Sequence, residues 1–175
     1  MLLGTGDGTF GSPVYYPTGV DPTWEVAADF NKDGKLDIAT ANLGDSVSIL
    51  LGNGDGSFQP HFDYQDFSYV TAVVAGDFNQ DGNLDLVACN LGASVASVLL
   101  GNGDGTFRQH VDYPVGSRPG RGIVADFNGD GKLDIAVPNQ GKPSVSVLLG
   151  NGDGTFGPKW SIRRSRARSD SMSRN

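Results

Sequence analysis

The sequence predicts an all-β fold of β-propeller blades, each of four antiparallel strands, with three complete repeats and a partial leading one. Three observations carry that reading. A segment of the form L-G-x-G-D-G-(T/S)-F begins at Leu3, Leu51, Leu100 and Leu149, at spacings of 48, 49 and 49 residues. A second, acidic motif begins at Asp29, Asp77 and Asp126, at spacings of 48 and 49, so two independent markers keep step along the chain. The composition is that of short strands joined by tight turns: 26 Gly, 9 Pro, 11 Asn, and nineteen Asp against the single Glu25. Asp, Asn and Gly favour turns, whereas Glu favours helices. Four antiparallel strands in 40–50 residues is the period of a propeller blade; a β-solenoid is the competing architecture, with shorter coils and parallel strands.

Within each period the four strands fall in a fixed order. The first covers 24–29, 72–77 and 121–126, and is rich in Ala, Gly and Val, as crowding near a common axis requires. A nine-residue acidic loop follows, then the second strand at 36–41, 84–89 and 133–138. After a short turn comes the third, at 46–51, 95–100 and 144–149, with partial apolar alternation. The Gly-rich turn leads to the fourth, at 57–64, 106–113 and 155–162, its glycines permitting the positive φ angles of a tight hairpin. The blades are therefore expected at 18–66, 67–115 and 116–162, with a partial leading blade at 1–17 and a basic Ser/Arg-rich tail at 163–175.

The formal charge of −7 conceals a split. Residues 159–175 hold six of the thirteen basic residues, leaving 1–158 with seven basic against nineteen acidic residues, hence −12. An acidic body argues against a nucleic-acid groove, which needs basic side chains to replace phosphate counterions. No stretch approaches 18 apolar residues, so no membrane insertion is expected. The segment 1–4 is too short for a signal peptide. With Cys89 as the one cysteine, no internal disulfide forms.

The acidic loops are the candidate metal sites. They read Asp29-Phe30-Asn31-Lys32-Asp33-Gly34-Lys35-Leu36-Asp37, Asp77-Phe78-Asn79-Gln80-Asp81-Gly82-Asn83-Leu84-Asp85 and Asp126-Phe127-Asn128-Gly129-Asp130-Gly131-Lys132-Leu133-Asp134. Oxygen-bearing side chains stand at positions 1, 3, 5 and 9, and the glycine at position 6 lets the chain fold back. The carbonyl of position 7 (Lys35, Asn83, Lys132) then turns inward. An EF-hand loop begins in the same way but closes with Glu at position 12 between helices; here Asp closes at position 9 and a strand follows. Three carboxylates held within about 5 Å repel by roughly 3 kcal/mol per pair at an effective dielectric near 20, a burden a cation removes. Oxygen donors without His or Cys point to Ca²⁺, about three ions, rather than the stricter octahedral Mg²⁺. At about 1 mM Ca²⁺ and a Kd near 10⁻⁴ M, each site adds roughly 1.4 kcal/mol to stability.

These D-F-N-x-D-G-x-L-D loops, the L-L-G-N-G-D-G-T-F segments and the Tyr-Pro pairs at Tyr16-Pro17 and Tyr113-Pro114 resemble the FG-GAP/VCBS repeat family, whose blades build the integrin α-subunit propeller. The resemblance covers residues 2–158. It implies Ca²⁺ in the hairpin between the first two strands of each blade, at Asp29/Asn31/Asp33/Asp37 and their counterparts, and partners on the opposite face. That face would be built from turns at 42–45 and 139–143 and inter-blade loops at 18–23, 65–69 and 115–120. Family propellers close with about seven blades; three cannot, so a fragment of a larger protein, an open array and half of a self-associated dimer all stand open.

The remaining functional residue types read as structural. His61 and His110, 49 residues apart, are expected as solvent-facing strand positions, and Cys89 as a buried, inert thiol. Asp7, Asp55, Asp104 and Asp153 read as turn formers. Trp24 aligns with Ala72 and Arg121, so it belongs to no repeated sugar slot. No Ser-His-Asp or Cys-His arrangement is visible, so no enzyme is expected. The function read from the sequence is a Ca²⁺-dependent binding or adhesion scaffold for a protein or glycan ligand, extracellular or on the cell surface. The alternatives are a Ca²⁺-dependent lectin and an accessory propeller of a polysaccharide-degrading enzyme.

Overall fold

The computed structural model describes residues 1–163; the expected basic tail, apart from the backbone of its first residue, lies outside the described residues. Twelve strands form three antiparallel sheets of four, and no helix occurs among the described residues, hence none long and apolar enough to cross a membrane. Blade 1 is β1 (Pro22–Ala28), β2 (Asp37–Asn42), β3 (Ser46–Leu50) and β4 (Phe62–Tyr64). Blade 2 is β5 (Val70–Gly76), β6 (Asp85–Asn90), β7 (Val95–Leu99) and β8 (Val111–Pro114). Blade 3 is β9 (Ile123–Ala125), β10 (Asp134–Asn139), β11 (Ser144–Leu148) and β12 (Trp160–Arg163). Strands pair in sequence order within each blade, and the three blades form an open propeller array.

The same strand has a different fate in each blade. In the central blade β5 is largely buried, because blades flank it on both sides. Its counterpart β1 alternates exposed and half-buried residues, since no complete blade stands before it. The corresponding β9 shortens to three residues, and ahead of it Pro119 makes an isolated bridge to Asn139, the pairing that Pro22 makes with Asn42 inside β1.

The fourth strands are also shorter than the sequence suggested. Residues from Gly52 to Phe58 close on themselves through an isolated Gly52–Phe58 bridge, repeated at Gly101–Phe107 and Gly150–Phe156. Pairing with the third strand therefore begins only at Phe62, Val111 and Trp160. The leading segment carries the equivalent Gly4–Phe10 bridge and no strand, so it supplies the capping hairpin of a partial blade.

Two clusters hold the blades together. Between blades 1 and 2, Phe30, Ala41, Ile49, Val73, Leu86 and Phe107 pack with Tyr64 and Leu84. Between blades 2 and 3, Phe78, Val87, Cys89, Val98, Val137 and Phe156 pack with Tyr113 and Leu133. Cys89 is fully buried, and burial pushes its thiol up to about 11, as an inert core cysteine requires.

Candidate metal loops

Each acidic loop is wound by its own side chains. In blade 1, the Asp33 amide donates to Asp29 Oδ1 at 3.2 Å and to Asn31 Oδ1 at 3.0 Å, so positions 1 and 3 meet on one N–H. The Gly34 amide donates to Asp29 Oδ2 at 2.8 Å, and the Lys35 amide to Asp33 Oδ1 at 2.9 Å. Blade 2 repeats the pattern with Asp77, Asn79, Asp81 and Asn83. Blade 3 repeats it with Asp126, Asn128, Asp130 and Lys132. The glycine at position 6 has φ of +82° in all three loops, a left-handed turn that a Cβ would strain.

Position 9 stands apart. Asp37, Asp85 and Asp134 are fully buried at the start of the second strand. Asp85 Oδ2 accepts the Phe78 amide at 2.8 Å, and its Oδ1 accepts the Gly101 amide at 2.8 Å. Asp37 bridges Phe30 and Gly52 in the same way, and Asp134 bridges Phe127 and Gly150. This carboxylate therefore ties the loop to the capping hairpin of its own blade. The glycine it meets is obligatory: a Cβ on Gly52 would stand 2.1 Å from the Leu36 carbonyl oxygen.

The electrostatics follow from these contacts. The Lys35 amide, with help from Asn31 and the Lys35 charge, holds the Asp33 carboxyl below the usual carboxylate range. The Asn83 amide does so for Asp81, and the Gly131 amide for Asp126. Asp85 moves the other way. Burial raises it, the amides of Gly101 and Phe78 oppose that, and the charges of Asp81 and Asp77 raise it further. In blade 2, positions 1 and 5 thus act on Asp85 through their charge.

Among the described residues no three Asp, Glu, His or Cys side chains stand together as a ready-made metal cluster. Individual partners engage the acids instead: Lys35 Nζ lies 3.4 Å from Asp33 Oδ2, and the Asn79 and Asn128 amides donate to Asp81 and Asp130. In kind, the donors suit a hard divalent cation. They are all oxygens, and a carboxylate that has accepted one N–H keeps lone pairs for a cation.

Sequence reasoning missed what position 2 does. The Phe30 carbonyl accepts the Gly105 amide of the next blade at 3.1 Å, and the Phe78 carbonyl that of Gly154 at 3.1 Å. The Phe30 ring meets Phe107 edge-on at 5.6 Å, and Phe78 meets Phe156 at 5.5 Å. Tyr64 and Tyr113, from the Tyr-containing fourth strands, close the same aromatic triads. Position 4 also reaches across, since Gln80 Nε2 donates to the Gly131 carbonyl at 2.9 Å. The signal available in the sequence was the recurrence of Phe in both motifs.

The capping hairpins behave as turns. Asp55, Asp104 and Asp153 each accept the amide and hydroxyl of the residue two positions on. The histidines differ from the expected solvent-facing positions. Both are half-buried, and His110 stacks on Phe67 at 4.7 Å with its Nδ1 2.9 Å from Asp112. For His110 the cover is Phe67, which arrives from the loop ahead of β5 in the same blade.

A family model described as an FG-GAP-like repeat matches residues 29–88, 77–137 and 126–173, each match opening at an acidic loop. The chain belongs to the FG-GAP-like repeat family. The first two matched units run from one blade's loop into the second strand of the next, so both span an inter-blade junction. No curated protein matches the chain in sequence. Among solved structures, one similar chain comes from a mutant Tc holotoxin pore of Photorhabdus luminescens. It shares 19% identity and a TM-score of 0.47, over 82% of this chain and 7% of that one.

Proposed function

We propose that this FG-GAP-like chain is a Ca²⁺-stiffened, non-enzymatic binding scaffold of the extracellular space or cell surface, taking a protein or glycan ligand on the face opposite its acidic loops. The observation that carries the reading is the threefold recurrence of one oxygen-donor loop with one hydrogen-bond pattern. Asp29, Asn31, Asp33 and Asp37, with the Lys35 carbonyl, would hold one ion. Asp77, Asn79, Asp81, Asp85 and Asn83, and Asp126, Asn128, Asp130, Asp134 and Lys132, would hold the others. The ion would supply positive charge against the acids; the chain's own amides pre-wind the loop around its place.

Position 9 links that site to the fold. Because Asp85 is tied to Gly101, stiffening the loop also stiffens the hairpin that the preceding blade packs upon. The ligand face is read from position alone, as several similar loops presented side by side gain avidity. Thermal unfolding with Ca²⁺, Mg²⁺ and chelator tests the metal. A midpoint that rises with Ca²⁺, and rises less in Asp81→Ala, supports the reading; identical midpoints in Ca²⁺ and chelator contradict it.

A further inference from the structure

One slot recurs in the three blades with different contents. In blade 2 it is full: the Phe67 ring stacks on His110 at 4.7 Å, and His110 Nδ1 stands 2.9 Å from Asp112. Forty-nine residues on, the same positions hold Gly116, Lys159 and Ser161, and Ala93 of the adjoining turn becomes Lys142. One repeat back they hold Gly19, His61, Asp63 and Asp45. The slot is therefore acidic in blade 1, filled in blade 2 and basic in blade 3.

With Gly116 in place of the ring, blade 3 keeps a cleft of about 240 Å³, lined by Ser117, Lys142, Ser144, Lys159 and Ser161 and by no acid among the described residues. It lies on the side of blade 3 that blade 2 covers. Val145 and Ile162 pair across β11 and β12 and are exposed, whereas the next pair, Ser146 and Ser161, points the other way, and Ser146 is fully buried. The wall is fixed by hydrogen bonds. The Gly116 amide donates to Ser146 Oγ at 3.0 Å, and Asn139 Nδ2 donates to Ser144 and Ser146. A Cβ on Gly116 would stand 2.2 Å from Asn139 Cγ, so this backbone has room for glycine alone. Lys159 Nζ donates to the Val115 carbonyl at 3.1 Å, which holds its charge at the cleft; an ammonium has three N–H groups, so two remain for a ligand.

Strand β10 leaves the acidic loop at Asp134 and reaches the turn carrying Lys142 at its other end, so the cleft belongs to the face opposite the acidic loops. We infer that it is an anion subsite for one acidic sugar residue of a glycan, bearing a uronate carboxylate or a sulfate ester. The inference rests on the ligand-face reading above and narrows its ligand. Residues 1–158 carry −12 and repel anions, so two ammonium groups without an acid beside them mark the place where a negative group is welcome. Three serine hydroxyls both donate and accept, as the hydroxyls of a sugar require. The volume falls below the roughly 300–1,000 Å³ of sites that enclose a whole small molecule, which suits a single residue of a longer chain. An acidic peptide would lay methylene groups against the wall, where only the buried edge of Val115 would receive them.

Fluorescence anisotropy of labelled hexamers of galacturonate, galactose sulfate, plain galactose and glutamate tests this on the full chain in one low-salt Ca²⁺ buffer. An acidic sugar should bind and plain galactose should not; whichever acidic sugar binds names the group. Lys142→Ala/Lys159→Ala should weaken that binding by roughly tenfold or more. So should Lys159→His/Ser161→Asp, which gives the slot residues that blade 2 already folds with. Lys32→Ala/Arg108→Ala removes two charges from the acidic-loop end and should leave affinity unchanged. The basic residues of 163–175 stay in every variant, so their contribution cancels. Equal affinity in the wild type and both cleft variants overturns the inference alone, as does a wild type that binds neither acidic sugar. Glutamate binding as tightly as the sugars overturns it in favour of an acidic peptide. Loss in Lys32→Ala/Arg108→Ala with none in the cleft variants overturns the inference and the ligand-face reading together.

Discussion

The carboxylate of Asp85 and the amide of Gly101 meet at 2.8 Å across sixteen residues of chain, fastening the base of an acidic loop to the hairpin that caps its own blade. The same oxygen pair takes the Phe78 amide, so one buried side chain satisfies two backbone donors that water cannot reach. Loop, hairpin and inter-blade packing are coupled through this group.

Asp85→Ala should therefore cost far more than its single lost charge. Two buried N–H groups are left without acceptors, which together destabilise the fold by about 3 kcal/mol or more. Urea unfolding in chelator would read this. Asp81→Ala, on the exposed side of the same loop, should have a much smaller effect under the same conditions, and equal losses would contradict the assigned roles.

The position-2 phenylalanines should divide by blade. Phe78→Ala empties a buried slot against Phe156 and Tyr113 and should destabilise by about 3–5 kcal/mol. Phe127→Ala, at a half-exposed position, should cost about 1 kcal/mol or less. Similar denaturation midpoints for the two would contradict the inter-blade role.

How much of this was legible in the sequence depends on whether a feature repeats locally or arises between blades. The period, the second and third strands and the loop positions were readable because Asp, Gly and Leu recur at fixed spacing. The inter-blade contacts were not, since Phe30 and Phe107 are separated in sequence by more than one whole repeat. Nor was the turn of Asp37, Asp85 and Asp134 toward Gly52, Gly101 and Gly150, because both partners look like ordinary motif residues. The fourth strands shrank for a similar reason: the Gly52–Phe58 bridge uses backbone that would otherwise extend the sheet.

Acid should loosen the capping hairpins. Hydroxyl donors, Ser57 or Thr106 or Thr155, hold Asp55, Asp104 and Asp153 below the usual range, and the Thr5 and Thr9 hydroxyls lower Asp7 from 3.8 to about 2. A group lowered in the fold protonates first in the unfolded chain, so its contribution is present above 3.8 and fades as pH falls toward about 2. Asp85 has the opposite sign: raised by burial, it favours the fold when protonated and loses that advantage as pH rises through its raised value. The joint variant Asp104→Asn/Asp153→Asn should show a shallower fall in urea midpoint between about pH 5 and pH 2 than the wild type. An unchanged slope would contradict the hairpin assignment.

Cys89 should be silent to thiol reagents in the folded chain. Its burial and a value pushed up to about 11 leave almost no thiolate at neutral pH. Labelling should proceed only with unfolding, its rate tracking denaturant; rapid labelling in native buffer would contradict the packing between blades 2 and 3.

The central claim is that the three loops hold calcium, and titration calorimetry of the chelator-stripped chain tests it most directly. Uptake of about three Ca²⁺ per chain, falling by one in the Asp29→Ala/Asp33→Ala variant and weak or absent with Mg²⁺, is the predicted result. No heat and no bound ion at millimolar Ca²⁺ would contradict it.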